Sequence, residues 1–162
     1  MERKNQKGHT EQEAYERLSA LCATRELCCW DVERKMRMWE MTDEAKEHVV
    51  TRLVKEKFID EKRFAVAFVK DKFQYNHWGR VRITQELKMR GIAQRQIDDA
   101  LEEIDEEDNL EALREMLDKK RSSVKGKSEY EIRGKLIRFA LGRGFAMEDV
   151  IKVVGSLDEC VD

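Results

Sequence analysis

Basic side chains interleaved with aromatic rings dominate the middle of this chain. Lys70, Lys72, Tyr75, Trp78, Arg80, Arg82, Lys88, Arg90 and Arg95 fall in one stretch, and from Lys55 to Arg95 only Glu56, Asp60, Glu61, Asp71 and Glu86 oppose the cations. A second basic group holds Lys119, Lys120, Arg121, Lys125, Lys127, Arg133, Lys135, Arg138 and Arg143. Ammonium and guanidinium groups at this density hold phosphate or carboxylate without reacting with it, and neighbouring rings stack on bases or fill a partner's pocket. These residues are the binding candidates. Covalent chemistry lacks its usual motifs: there is no P-loop, GxGxxG, nucleophile elbow or HExxH, and no pair of carboxylates isolated in apolar context. His9, His48 and His77 are scattered, and Cys22, Cys28, Cys29 and Cys160 form no CxxC pair. The expectation is a protein with no catalytic residues, no metal and no cofactor, its thiols reduced and partly used as small core residues.

The total charge of −2 conceals how the charges are arranged. Between the two basic groups lies an acidic run from Asp98 to Asp118 relieved only by Arg114. Salt screens exposed charges beyond roughly 8 to 10 Å, so a polyanion responds to the patch it touches and not to the sum. The pattern predicts two basic lobes with an acidic joint between them. The competing reading is that these blocks are solvated helix faces and no more. No segment is dense in Asn, Gln and Arg in the manner of a helix that reads base edges, which argues against sequence-specific recognition.

The elements that position these charges are written in a repeated grammar. Ile83, Leu87, Gly91, Ile92, Ile97 and Leu101 recur at the same spacing as Leu136, Ala140, Gly144, Phe145, Val150 and Val154, and each Gly follows an Arg, as Arg90-Gly91 and Arg143-Gly144. Apolar residues four apart mark one helix face, Gly stops the helix, and the next apolar pair opens another. A degraded copy lies upstream in Val32, Met36 and Met41, with Glu40 in the Gly position and a spacer to Val49 that reads as three residues longer. Each copy is preceded by a further amphipathic run: Tyr15, Leu18, Leu21, Cys22; then Phe64, Ala65, Phe68, Val69; then Leu110, Leu113, Leu117. Three short helices per unit follow, and such units stack in series. On the helix from Arg80 to Arg90, Ile83 and Leu87 form the buried stripe, flanked by Arg80, Thr84 and Lys88 on one side and by Arg82, Glu86 and Arg90 on the other.

With no proline and sparse glycine the chain reads as all-α. The expected organisation is a flexible tail at residues 1–11, then three-helix repeats at residues 12–59, 60–106 and 107–162, the last with a longer middle helix. No apolar stretch approaches the length of a signal peptide or membrane span, so a cytoplasmic monomer without membrane contact is expected.

The central string resembles a known family. Phe58-Ile59-Asp60-Glu61, Arg63-Phe64-Ala65, Phe68-Val69, Trp78-Gly79-Arg80, Arg82-Ile83, Glu86-Leu87, Arg90-Gly91-Ile92, Ile97 and Ala100-Leu101 are similar to the central repeat of the RecX family, bacterial regulators of the RecA recombinase. Arg25-Glu26, Val32 and Lys35-Met36 look like its first repeat, and Lys135-Leu136, Arg143-Gly144-Phe145 and Val150-Ile151 like its third. The chain departs from the family where His77-Trp78-Gly79-Arg80 replaces the frequent Gly-x-Gly-Pro. The resemblance implies three tandem three-helix repeats in an elongated, curved protein. It further implies binding along the RecA filament, weak nonspecific binding of single- and double-stranded DNA, and lowered ATPase, strand exchange and SOS co-protease activity. The alternative is a stand-alone nonspecific nucleic-acid-binding module.

Overall fold

The computed structural model describes residues 9–159, with side chains to residue 156. Among the described residues there are nine helices and no strand: α1 (Glu11–Thr24), α2 (Cys29–Met38), α3 (Asp43–Lys55), α4 (Glu61–Gln74), α5 (Arg80–Met89), α6 (Gln94–Leu101), α7 (Glu106–Arg121), α8 (Glu129–Gly142) and α9 (Met147–Glu159). None is long and apolar enough to cross a membrane. Residues 1–8 of the expected tail, and Cys160, lie outside the described residues. Residues 9 to 11 do not behave as tail. Thr10 caps α1 by accepting the Glu13 N–H at 3.1 Å, and the His9 ring lies 4.4 Å from that of Trp39.

The helices form tandem three-helix repeats, α1–α3, α4–α6 and α7–α9. The substantial packing falls within each: α1 and α2 on α3, the three pairs among α4, α5 and α6, and the three pairs among α7, α8 and α9. Each repeat has its own apolar core, the first around Leu18, Met36 and Leu53, the second around Phe68, Ile83, Leu87 and Ile97, the third around Leu113, Leu117, Leu136 and Val150. Ile83 and Leu87 are fully buried, as the α5 wheel predicts. The middle helix α8 has 14 residues against 10 in α2 and α5, because Ser128 starts it one turn earlier and caps it through the Glu131 N–H.

The turn between second and third helix is the same in all three repeats. Gly91 and Gly144 adopt φ of 75° and 92°, and the N–H of the following residue returns to a carbonyl in the last helical turn, Ile92 to Leu87 at 3.1 Å and Phe145 to Ala140 at 3.2 Å. These are Schellman closures that satisfy carbonyls left over at the helix end. Glu40 makes the same turn at φ 55°, with Met41 N–H on the Met36 carbonyl at 3.2 Å.

Contrary to the sequence expectation, the spacer after Glu40 is not longer than the others. Thr42 caps α3 at the offset from Glu40 at which Ala93 caps α6 from Gly91, and Val49, Ala100 and Val153 are equivalent buried residues. What disrupts the apolar pattern is Lys46, which occupies the core position held by Ile97 and Val150. It is 8% exposed, and its ammonium reaches Asp43 at 3.0 Å and Glu33 at 4.0 Å. A long methylene stem fills the apolar site while the charged head leaves it, so a core lysine reads from sequence as a gap.

Candidate partner interface

The basic and aromatic candidates divide by what already holds them. Arg80 is consumed by the fold: its guanidinium donates to the Ile104 carbonyl at 2.8 Å and to Glu106 at 3.0 Å, tying α5 to the start of α7. Lys70 pairs with Glu103 at 3.7 Å. The acidic run therefore does not stand apart from the first basic lobe, since two of its carboxylates fold back onto it. The remainder is ordered by α7, whose first turn carries Glu106, Glu107 and Asp108 and whose last turn carries Lys119, Lys120 and Arg121. Both ends match the helix macrodipole, and at 1.5 Å per residue they stand about 24 Å apart.

The Arg of each Arg-Gly pair reaches back to the preceding repeat. Arg143 donates to the Asn76 carbonyl, just ahead of α5, while its own carbonyl and that of Gly144 accept the N–H groups of Gly79 at 2.9 Å and Val81 at 3.0 Å. The α5 N-terminus has no side-chain cap, so the third repeat supplies it. The contact is close enough to require both glycines: a Cβ on Gly79 would sit 2.6 Å from the Phe145 Cα, and one on Gly144 would sit 2.7 Å from the Arg82 nitrogen. Arg90 does the corresponding work one repeat earlier. Its guanidinium lies 5.0 Å from the Trp30 ring and 5.0 Å from that of Phe68, held by Glu86 at 3.0 Å. In the first repeat Trp39 stands where Arg90 and Arg143 stand in the others.

Trp78 is half-buried against the second core, with Arg82 stacked at 4.1 Å and Lys72 at 5.3 Å. Tyr75 is 76% exposed. Lys120 lies 4.7 Å over Phe139, Arg121 pairs with Glu129 at 3.5 Å, and Lys135 pairs with Glu131 at 3.6 Å. The Lys127 N–H and the neighbouring cations hold the Glu131 carboxyl below its usual range. Arg133 is exposed on α8. Lys88, Arg95, Lys119, Lys125, Lys127 and Arg138 are exposed, and among the described residues none of their side chains forms an ion pair within 4 Å, Arg138 acting on Glu131 only at longer range. They are the cations available to a ligand from the second and third repeats.

Sequence reasoning missed a cleft at the junction of the first two repeats. It has a volume of about 730 Å³ and is lined by Arg25, Glu26, Leu27, Asp31, Arg34, Lys35, Met38, Phe64, Ala67, Phe68, Asp71, Lys72 and Arg90. Its carboxylates are occupied. Glu26 accepts from Arg63 at 2.6 Å and raises the pKa of that guanidinium, Asp31 accepts the Cys28 N–H at 3.1 Å, and Asp71 lies 3.6 Å from Lys72. Arg25, Arg34 and Lys35 have no carboxylate partner among the described residues. Asp31, Arg34, Lys35 and Met38 are spaced as one face of α2, and that was the signal available in the sequence.

The adjacent cysteines brace this junction. Cys28 is fully buried in the core of the second repeat, while Cys29 packs against that of the first and donates its N–H to Glu61 at 3.3 Å. Burial pushes the Cys28 thiol up to about 12, and burial with Glu61 beside it does the same for Cys29. Such thiols are poor nucleophiles. No group of three or more His, Cys, Asp or Glu among the described residues could hold a metal ion.

Comparison with known proteins follows the repeat plan. A family profile for the second three-helix domain of RecX matches residues 60–101, and one for the third three-helix domain matches residues 106–154. Regulatory protein RecX of Clostridium tetani is 32% identical over 113 residues, covering 68% of this chain and 51% of that protein. Regulatory protein RecX of Clostridium beijerinckii is 29% identical over 133 residues, covering 79% and 62%. The match thus spans about half to three-fifths of these relatives. A crystal structure of regulatory protein RecX superposes with a TM-score of 0.80 at 21% identity, covering 88% of this chain and 72% of the other. That of RecX from Lactobacillus salivarius superposes at 0.76 and 19% identity, covering 91% and 96%. The structural likenesses establish the shared fold.

Proposed function

The chain belongs to the RecX family, and from that membership we propose that it binds the RecA nucleoprotein filament and restrains RecA ATPase, strand exchange and co-protease activity. The observation that carries this reading is the pair of RecX domain matches laid over α4–α6 and α7–α9. Physical support comes from the serial arrangement. A filament repeats in one dimension, and three units in a row meet successive protomers, so several weak contacts add as avidity that no single repeat supplies. Lys88 and Arg95 in the second repeat and Lys119, Lys125, Lys127 and Arg138 in the third engage phosphate or acidic protein surface, positioning the molecule without reading base sequence. Bound in this way, the protein holds the filament inactive or obstructs subunit addition and the second DNA strand. It performs no chemistry of its own.

The test is RecA's DNA-dependent ATPase with and without substoichiometric protein. Loss of ATP hydrolysis is expected. A chain that shifts DNA in a gel with a steep log-log salt slope, yet leaves RecA unaffected, is a nonspecific nucleic-acid-binding module instead. Charge reversal at Lys88 and Arg95 together should weaken inhibition at least about threefold with unchanged helicity, since rim cations set association more than folding. Undiminished inhibition by that variant removes these two residues from the interface.

A further inference from the structure

We propose that the cleft between the first and second repeats is a docking site for an acidic segment of the protein partner that also carries apolar side chains. This rests on the regulator reading above and names the chemistry of one of its contacts. Arg25, Arg34 and Lys35 line the cleft with no ion-pair partner among the described residues, whereas Glu26 is paired with Arg63, Asp71 with Lys72, and Asp31 accepts the Cys28 N–H. Five cations line the cleft against three carboxylates, so it presents net positive charge. Its floor is apolar, built from Leu27, Phe64 and Phe68, and Met38 stands at the rim 82% exposed. A volume of about 730 Å³ is within the range of sites that enclose several side-chain-sized groups.

Nucleic acid fits this place poorly. Phe64 and Phe68 are only 6% and 9% exposed, too little for a base to stack on, and Met38 at 82% is the main apolar surface that a ligand meets. The Trp30 ring is already covered by Arg34 at 4.5 Å and Arg90 at 5.0 Å. A phosphodiester backbone would use the cations and leave the floor and Met38 unused. A peptide with carboxylates beside Leu or Phe uses both. Unpaired cations and an exposed methionine beside an apolar floor are complementary to that class of ligand.

The experiment uses the full chain and a fluorescein-labelled short peptide of Asp, Glu, Leu and Phe. Two control peptides carry Asn and Gln for the acids, or Ser for the apolar residues, and labelled oligothymidylate is the nucleic-acid probe. The acidic apolar peptide should bind, and each control at least about tenfold more weakly. Arg25→Glu with Lys35→Glu should lower its affinity at least about tenfold, and Met38→Ser about threefold, the latter leaving oligothymidylate binding unchanged. All three sites are surface positions, and circular dichroism checks that the variants remain folded. Reversal of Lys88 and Arg95, which do not line the cleft, should leave peptide affinity intact. Absent binding, equal binding of the Ser control, or binding indifferent to Arg25→Glu with Lys35→Glu overturns the proposal. The same double variant is run in the RecA ATPase assay. If the parent inhibits and the variant inhibits equally, the cleft assignment fails while the regulator reading stands. If the parent has no effect on RecA, the regulator reading fails, and the peptide titration still decides the chemistry of the cleft.

Discussion

Gly91, Gly144 and Glu40 hold the same left-handed turn in three different surroundings, which separates conformational cost from contact cost. A Cβ at Gly91 would meet nothing within 4 Å, so Gly91→Ala should cost only the strain of a left-handed L-residue, about 1–2 kcal/mol. At Gly144 the same change also drives a methyl into the Arg82 backbone, and a loss of about 2–4 kcal/mol is expected. Glu40→Gly should run the other way and stabilise by about 0.5–1 kcal/mol, strain relief exceeding the added backbone freedom. Denaturant titration of the three variants checks the order. The thiols make a separate prediction. The folded pKa values of Cys28 and Cys29 lie above those of the unfolded chain, so between pH 9 and 12 the unfolded state gives up protons that the folded state keeps, and stability falls as pH rises. Cys28→Ala should flatten that decline when midpoints at pH 8 and pH 10 are compared. An unchanged slope would mean that Cys28 ionises normally in the fold.

At the scale of the element, α3 carries a core position given to Lys46 where α6 and α9 use Ile97 and Val150. The ammonium has partners, but Asp43 is fully exposed and Glu33 about half-exposed, so those pairs are worth little. Replacing the lysine stem with a branched apolar side chain buries more surface. Lys46→Ile should raise stability by about 1 kcal/mol, read as a higher midpoint at unchanged denaturant slope. A lower midpoint would show that the Glu33 and Asp43 contacts outweigh burial. The helix α7 illustrates the opposite case, in which the charges follow the element: its acidic start and basic finish suit its dipole, so a boundary between charge blocks in the sequence is here the middle of one helix.

For the whole molecule, the decisive contacts are those between repeats. The third repeat supplies backbone carbonyls to the otherwise uncapped α5, and Arg143 adds its guanidinium to Asn76. Arg143→Ala should therefore lower cooperativity as well as stability, with tryptophan fluorescence, which reports the first two repeats through Trp30, Trp39 and Trp78, separating from the helical signal of all three. Coincident transitions in that variant would show that the backbone bonds alone couple the repeats.

Periodicity, Arg-Gly stops and the buried stripe of α5 were legible in the sequence by itself, because they follow from the 3.6-residue turn and from the left-handed conformation that a helix end requires. The degraded first copy was legible in part: Glu40 was placed in the Gly position, but Lys46 hid the equality of the three turns, since a pattern of apolar letters does not register a methylene stem. Tertiary structure alone decided which cations are spent. Arg80, Arg90 and Arg143 look in sequence like Lys88 and Arg95, yet the first three hold the repeats together and the last two face outward. The cleft belongs to neither repeat alone, since α2 and the residue that closes α1 bring its unpaired cations and α4 most of its apolar floor. Charge acts through space, and the partner of a long flexible side chain is fixed by how units pack, which no local spacing encodes.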